Sequence, residues 1–360
     1  MSHIAMPVRT VADWGGVHEW TVDAVRALRT HGHGVTMVGA GDLLEERARA
    51  AGADFVVVDW ADLEAAASIL ADAVPQADLI YAHGPQARMI AVDASGVLDI
   101  PVHVMCHGAY HDYMYEWAGR VESVSAASPS LMYFVQQVGK VEPWKCQLVA
   151  NGVDDLVFDL PVIDIDAKLE GGVGRVVTAA RLAKDKIRQI DVVRDVLVGC
   201  VAQYPDVEWV VDVYGDGPER QFFENSYRMM SDELKNGRAT FHGWIPPSDI
   251  PRVLNGAAVA VMAGMGGVRS VASGTVTVAA GARDVLGVQV GRNLRAGIFS
   301  NFGDHGCPRF EPTPIGRDLQ DILRPGRYAE VVELGRSILR RTNSQSVVDG
   351  QMLGALQLIQ

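Results

Sequence analysis

Two cations stand five positions apart in Ala180-Arg181-Leu182-Ala183-Lys184-Asp185-Lys186, after the strand-like run Arg175–Ala179 and ahead of a helical stretch. Arginine supplies a planar fork and lysine a compact point charge, so the pair can hold a diphosphate from two sides. Neutralising a departing diphosphate is the main electrostatic task in breaking a sugar–nucleotide bond. An Arg/Lys cluster at an arbitrary position is better read as a solvated loop. Its place at the end of a strand makes it a binding candidate.

Glycines at three other strand ends carry the same kind of signal. Trp14-Gly15-Gly16-Val17 follows a first apolar run and opens a helix, where backbone can approach a ligand and unpaired N–H groups face an anion. Tyr214-Gly215-Asp216-Gly217-Pro218 closes another strand, with Pro218 suited to the first helical position. Each glycine pair also has a plainer reading as a tight turn. Phe241-His242-Gly243-Trp244-Ile245-Pro246 would set backbone groups beside an apolar wall suited to a nucleobase.

His83-Gly84 and His107-Gly108 each end a strand-like run, where an imidazole of either protonation state can meet a substrate; a capping or niche-filling role is the alternative for His83. The loop His107–Trp117, HGAYHDYMYEW, is rich in aromatics, and Tyr110 and Tyr113 are candidates for stacking on an acceptor ring. His103, Cys106, His107 and His111 invite a metal reading. Strand alternation would put His103 and His107 on one face with Cys106 pointing away, so no metal site is expected.

These residues need elements to position them. Short apolar runs at Val8–Ala12, Val35–Gly39, Phe55–Asp59, Leu79–Ala82, Val102–Cys106, Val121–Ala126 and Gln147–Ala150 alternate with helical patterns at Val17–Thr30, Leu43–Ala51, Leu63–Val74 and Ser130–Val138. Continuous apolar runs fit a parallel sheet covered by helices on both faces. After about Asp155 the pattern stops, and it restarts with strands at Arg175–Ala179, Trp209–Tyr214, Ala239–His242, Ala258–Met262, Val276–Ala279 and Val288–Val290. Helices there are expected at Ile187–Gln203, Glu219–Leu234, Ser248–Asn255 and Arg327–Arg340. The fold class is therefore α/β, with two doubly wound Rossmann-like domains facing across a cleft. The expected divisions are 1–155, a linker 156–174, a second domain 175–342, and a helix over 343–360 free to pack back on the first domain.

Composition narrows the function. The chain has 360 residues, 48% of them hydrophobic and 21% charged, as in a well-cored soluble protein. A net charge of −12 opposes a nucleic-acid partner. Residues 1–150 hold 9 basic and 18 acidic side chains, hence 9 − 18 = −9, which favours a soluble acceptor over a lipid-linked one. No apolar run reaches the roughly 20 residues of a membrane span, and the start of the chain lacks a secretory apolar core, so a cytoplasmic protein is expected. Four widely spaced cysteines, Cys106, Cys146, Cys200 and Cys307, read as reduced and mostly buried thiols.

Taken in order, Gly15-Gly16, NGVD at Asn151–Asp154 with Phe158, RLAKDK at Arg181–Lys186, YGDGPE at Tyr214–Glu219 and FHGWIPPSDIPRVLNGA at Phe241–Ala257 resemble the family 4 retaining glycosyltransferases. The resemblance spans roughly residues 11 to 340. It implies the two-domain GT-B architecture, a nucleotide-sugar as donor substrate with a UDP-sugar as the default, and no cofactor or metal. Arg181 and Lys186 would grip the donor diphosphate, Trp244 and Ile245 would meet the base, Gly215 and Gly217 would line the donor site, and Gly15 and Gly16 would lie opposite the diphosphate. His107 would face the transferred sugar, with His83, Tyr110 and Tyr113 on the acceptor side. The acceptor would be a small molecule or carbohydrate, and the protein a monomer or homodimer.

One departure is plain. Members of that family usually carry two glutamates eight positions apart before an A-x-G-x-P segment, the first holding the donor sugar and the second the ribose. ASGTVTVAAG at Ala272–Gly281 matches the end of that segment, yet no carboxylate lies between Arg252 and Asp284, and Arg269 stands where the second glutamate would fall. Arg269 suits a phosphate instead. A rearranged site using Asp284 or Asp304, an unusual donor, or a homologue that only binds a ligand or partner would each fit. A sugar phosphorylase or sugar-nucleotide epimerase is the rival enzyme class.

Overall fold

The computed structural model describes residues 1–10 and 14–358. The chain forms two compact units, Met1–Asn151 with Val348–Gln360, and Gly152–Val347. The first holds strands β1 (His3–Pro7), β2 (Gly34–Gly39), β3 (Asp54–Val57), β4 (Leu79–His83), β5 (Val102–Cys106), β6 (Ser123–Ala126) and β7 (Cys146–Leu148). Its pairings are parallel, in the order β3-β2-β1-β4-β5-β6-β7. The second holds β8 (Val173–Ala179), β9 (Glu208–Tyr214), β10 (Arg238–Gly243), β11 (Val259–Met262), β12 (Val276–Ala280) and β13 (Val285–Val288), ordered β10-β9-β8-β11-β12-β13. There the edge pair β12–β13 is antiparallel and the rest are parallel.

The strands read so strongly because both faces are covered. Ile4, Ala5 and Met6 of β1, and Val259, Ala260 and Val261 of β11, are fully buried. Strand order reverses direction between β1 and β4 in one sheet and between β8 and β11 in the other. Chain crossovers diverge at such points and leave a crevice beyond the carboxyl ends of the strands. Both sets of candidate residues lie at these two places.

Several expectations shift. The first strand lies at His3–Pro7, and Val8 adds a single bridge to His83; of the expected run Val8–Ala12, residues 11 and 12 fall outside the described residues. A histidine and a proline at the two ends disguise one of the most buried strands of the sheet. The last strand lies at Val285–Val288 and not Val288–Val290, because β12 returns through a tight antiparallel connection. Helices Pro85–Leu98, Gly264–Ala272, Gly291–Phe299 and Ile315–Ile322 have no counterpart among the helical patterns of the sequence. The stretch 156–174 is packed: Val157 and Phe158 sit with Val268 and Leu339, and Ile165 joins the main core of the second unit. The ammonium of Lys168 donates to the carbonyls of Ala257 and Gly274, tying that stretch down.

Of the cysteines, Cys200 is buried and the other three are partly buried, all four as free thiols. Among the described residues no helix is long and apolar enough to cross a membrane.

Candidate active site

In the second unit, the loop after β8 carries Arg181 and Lys186 at the switch point. Arg181 is exposed, while the Lys186 side chain is mostly enclosed, with 15% accessible. Lys186 Nζ donates to Asp304 Oδ1 at 2.8 Å and lies 3.5 Å from Asp185, whose other oxygen is 3.8 Å from Arg181. Two cations thus face two carboxylates, and the formal charges cancel. The backbone N–H of Ala282, just past β12, donates to the same oxygen of Asp304 at 2.9 Å.

The glycines of the loop after β9 serve this segment. Ala180 N–H donates to the Tyr214 carbonyl and Leu182 N–H to that of Asp216, both at 3.0 Å. A Cβ on Gly215 would stand 2.1 Å from the Ala180 carbonyl oxygen, and one on Gly217 would stand 2.4 Å from that of Leu182. Gly215 and Gly217 therefore seat the Arg181 loop by close backbone approach, where their sequence setting suggests ligand contact. Beyond β10, Trp244 is exposed, and Ile245 packs partly against the cluster of Val177, Ile250 and Met262. His242 stacks on Tyr214 with ring centroids 4.5 Å apart, and its Nε2 is 2.7 Å from the buried carboxylate of Asp212. Sequence reasoning missed the ordered group of Asp212, Tyr214 and His242, because its three members come from two strands.

Past β11 the helix Gly264–Ala272 starts at the switch point with three glycines among its first four residues. Arg269 lies one turn further on, partly buried, its guanidinium 3.7 Å from Met265 Sδ. Of the two alternative carboxylates, Asp284 accepts from the N–H of Cys307 at 2.5 Å and so ties the following loop in place. Asp304 is the one that meets Lys186.

In the first unit, β4 and β5 bring His83 and His107 together. His83 Nδ1 and His107 Nε2 are 3.0 Å apart, with the rings stacked and Trp20 across both. His83 is fully buried, so it does not reach an acceptor; it stands behind His107. Burial first, and the neighbouring His107 second, hold its pKa well below the ordinary histidine value, leaving it neutral. His83 Nε2 is buried without a hydrogen-bond partner among the described residues. The contact between the two imidazoles orients the His107 ring against the neutral His83.

His103 faces Ser123 Oγ at 2.8 Å inside the sheet, whereas His107 lies beyond the end of β5. His107 shares no strand face with His103, because the strand stops at Cys106. Among the described residues no three His, Cys, Asp or Glu side chains are grouped to hold a metal.

Desolvation lowers the pKa of His103 to about 4, against a smaller opposing effect of Glu122. The sign follows from linkage: above about pH 6.5 both states are neutral, and below it the unfolded chain takes up the proton that the folded chain refuses. Stability is therefore expected to fall as pH drops from 6.5 toward 4, by up to about 1.4 kcal/mol per pH unit for each such histidine. Urea unfolding between pH 7 and 4.5 measures that slope. His103→Asn should remove one proton from it, and an unchanged slope would contradict the assignment.

Residues 14–155, most of the first unit, match the family described as Glycosyltransferase Family 4. The chain is similar to that family over this stretch of its first unit. No curated protein matches it in sequence. In structure the chain is similar over its whole length to Anabaena HepE in complex with UDP and glucose, at TM-score 0.73 and 15% identity with all of both chains covered. It is also similar to a glycosyltransferase from Rickettsia africae, at TM-score 0.75, 15% identity and 99% and 98% coverage. Sucrose-phosphate synthase from Thermosynechococcus elongatus follows at TM-score 0.68, 17% identity and 99% and 98% coverage. These likenesses establish a GT-B-like fold of two α/β units.

In the first unit the helix Gly16–Thr30 begins after β1, and among the described residues a Cβ on Gly15 or Gly16 would meet nothing within 4 Å. Both glycines leave the helix start open. The loop after β5 is anchored by Arg88 on Asp112 at 3.1 Å and on the Trp117 ring at 4.6 Å. From that anchor Tyr110, Tyr113 and Tyr115 stand out, each more than half exposed. Tyr113 holds a left-handed φ of 56°, an uncommon conformation for a bulky residue.

Proposed function

We propose that this protein transfers a sugar, with retention, from a nucleotide-sugar to a small soluble acceptor, a UDP-sugar being the default donor. The observation that carries the proposal is the pair Arg181 and Lys186 at the switch point between β8 and β11, beside a helix whose first turn holds three glycines. The UDP-glucose complex of Anabaena HepE, a structure of similar fold, supports the choice of donor.

The chemistry asks the site to stabilise charge that grows on the diphosphate as the sugar leaves. Arg181 offers an in-plane fork to the phosphate oxygens. A lysine ammonium has three donors; Asp304 engages one, so Lys186 keeps capacity for phosphate while staying aimed. The departing diphosphate then guides the acceptor to the same face, and no covalent enzyme intermediate is needed. His107, set by His83, is the group nominated to face the sugar, and Tyr110 and Tyr113 the surface offered to the acceptor. Arg269 suits a phosphate near the same helix.

Calorimetry with UDP, GDP and ADP tests the reading. One nucleotide diphosphate should bind, and Arg181→Ala should weaken it by roughly 10- to 100-fold, the worth of a charge-assisted hydrogen-bond pair. Unchanged binding would remove the clamp. Slow donor hydrolysis without acceptor is the expected accompaniment, whereas tight binding with no turnover would mark a ligand-binding homologue.

A further inference from the structure

One carboxylate in the second unit is built more firmly than its local role requires. Asp304 belongs to the loop Asn301–His305, which holds three consecutive left-handed residues, Asn301 at φ 53°, Phe302 at 51° and Gly303 at 88°. Two non-glycine residues in that region store strain, which persists only where the surroundings over-determine it. Here they do. Phe302 is buried over Gly267, where a Cβ would stand 2.4 Å from its ring. Phe302 N–H donates to Gly297, Gly303 N–H to Ser300 Oγ, and the N–H groups of Arg283 and Asp284 both donate to Gly303. The loop is a rigid bracket.

The bracket delivers Asp304 to one place. Oδ1 accepts from Lys186 and from Ala282, which fixes the carboxylate plane. Oδ2 has no hydrogen-bond partner among the described residues, and the side chain keeps 24% of its surface accessible. That oxygen lies 2.5 Å from where a Cβ on Gly264 would project. The carboxylate thus fills the space above the first residue of the helix Gly264–Ala272, where no side chain of the helix can stand. A segment with no acid of its own between Arg252 and Asp284 receives one from a loop further along the chain.

We propose that Asp304 is the hydrogen-bond acceptor for the donor sugar: its free oxygen receives a sugar hydroxyl while Lys186 serves the adjoining phosphate. The geometry fits, because one residue contacts the phosphate-binding lysine with one oxygen and offers the other to a hydroxyl donor. Asp284, which holds the loop, is a positioning residue. This inference rests on the nucleotide-sugar reading above. The alternative for Asp304 is a plug that occupies the phosphate position and must leave before a donor binds.

The test compares UDP with UDP-glucose, and GDP and ADP with their glucose conjugates, on the full chain and on Asp304→Asn and Asp304→Ser. For the nucleotide that binds, Asp304→Asn should weaken the sugar-bearing form roughly tenfold or more, while the bare diphosphate changes by less than about threefold, since only the charge-assisted hydroxyl contact is lost. Retained diphosphate binding reports an intact fold. Equal effects on the two ligands, or none, overturn the inference and leave the transferase reading standing. Tighter binding of both ligands by both variants identifies the plug and overturns it. Absence of any nucleotide binding by the unaltered chain overturns the parent reading and this one together.

Discussion

Lys186→Ala is expected to lower donor turnover by roughly 10²- to 10³-fold, the range found when one preorganised electrostatic contact to a developing negative charge is removed. Two effects act together. The ammonium that would meet the phosphate is gone, and Asp304, 2.8 Å from it in the native chain, is left as an uncompensated carboxylate beside the incoming diphosphate. Repulsion should raise KM as well as lower kcat, so the loss in kcat/KM should exceed the loss in kcat. Steady-state donor hydrolysis reads both. Pairing Lys186→Ala with Asp304→Asn discriminates further: removing the opposing carboxylate should recover part of the affinity for the bare diphosphate, while KM for the sugar-bearing donor, which loses its hydroxyl acceptor, should not recover. A loss of diphosphate affinity in Lys186→Ala that Asp304→Asn does not touch would show that the two residues do not share a ligand.

Gly215→Ala carries the largest expected effect on stability. Gly215 has φ +115°, and the added Cβ would stand 2.1 Å from the Ala180 carbonyl oxygen, a backbone atom that cannot swing aside. The backbone conformation costs about 1–2 kcal/mol for an L-residue, and forced overpacking costs about 1–3 kcal/mol more. At about 2–4 °C per kcal/mol for a domain of this size, the melting temperature should fall by about 10 °C. The same shift moves Arg181, because Ala180 and Leu182 hydrogen-bond to the Gly215 loop, so diphosphate affinity should fall in parallel. Gly16→Ala is the control. It opens a helix where, among the described residues, an added Cβ meets nothing within 4 Å, and should leave the melting temperature within about 1–2 °C, the effect of a surface substitution. Equal losses in both variants would mean that flexibility, and not close backbone approach, explains the Gly-Asp-Gly motif.

The contrast between these two glycine sites shows what local sequence cannot say. Both read alike, as glycines between a strand and a helix. One is open and the other is pressed against a neighbouring loop, and the difference lies in which strand is adjacent. The helix Gly264–Ala272 is hidden for a related reason: three of its first four residues are glycine, each costing about 1 kcal/mol in a helix. It forms because Phe302 and Asp304, more than thirty residues on, occupy the space those glycines leave.

Sequence alone determined the two largely parallel α/β sheets, the strand ends that carry Arg181, Lys186 and His107, and a stretch without carboxylates between Arg252 and Asp284. Those features depend on local period and local order, and burial on both faces of a parallel sheet writes them as continuous apolar runs. Tertiary structure decided the rest. It set His83 behind His107 and not in front of it, gave Gly215 and Gly217 to loop packing, tied Asp284 to the backbone of Cys307, and brought Asp304 to Lys186. Each of these is a pairing between residues far apart in the chain. Side-chain chemistry is written in the sequence, but distance is set by the crossovers of the sheet.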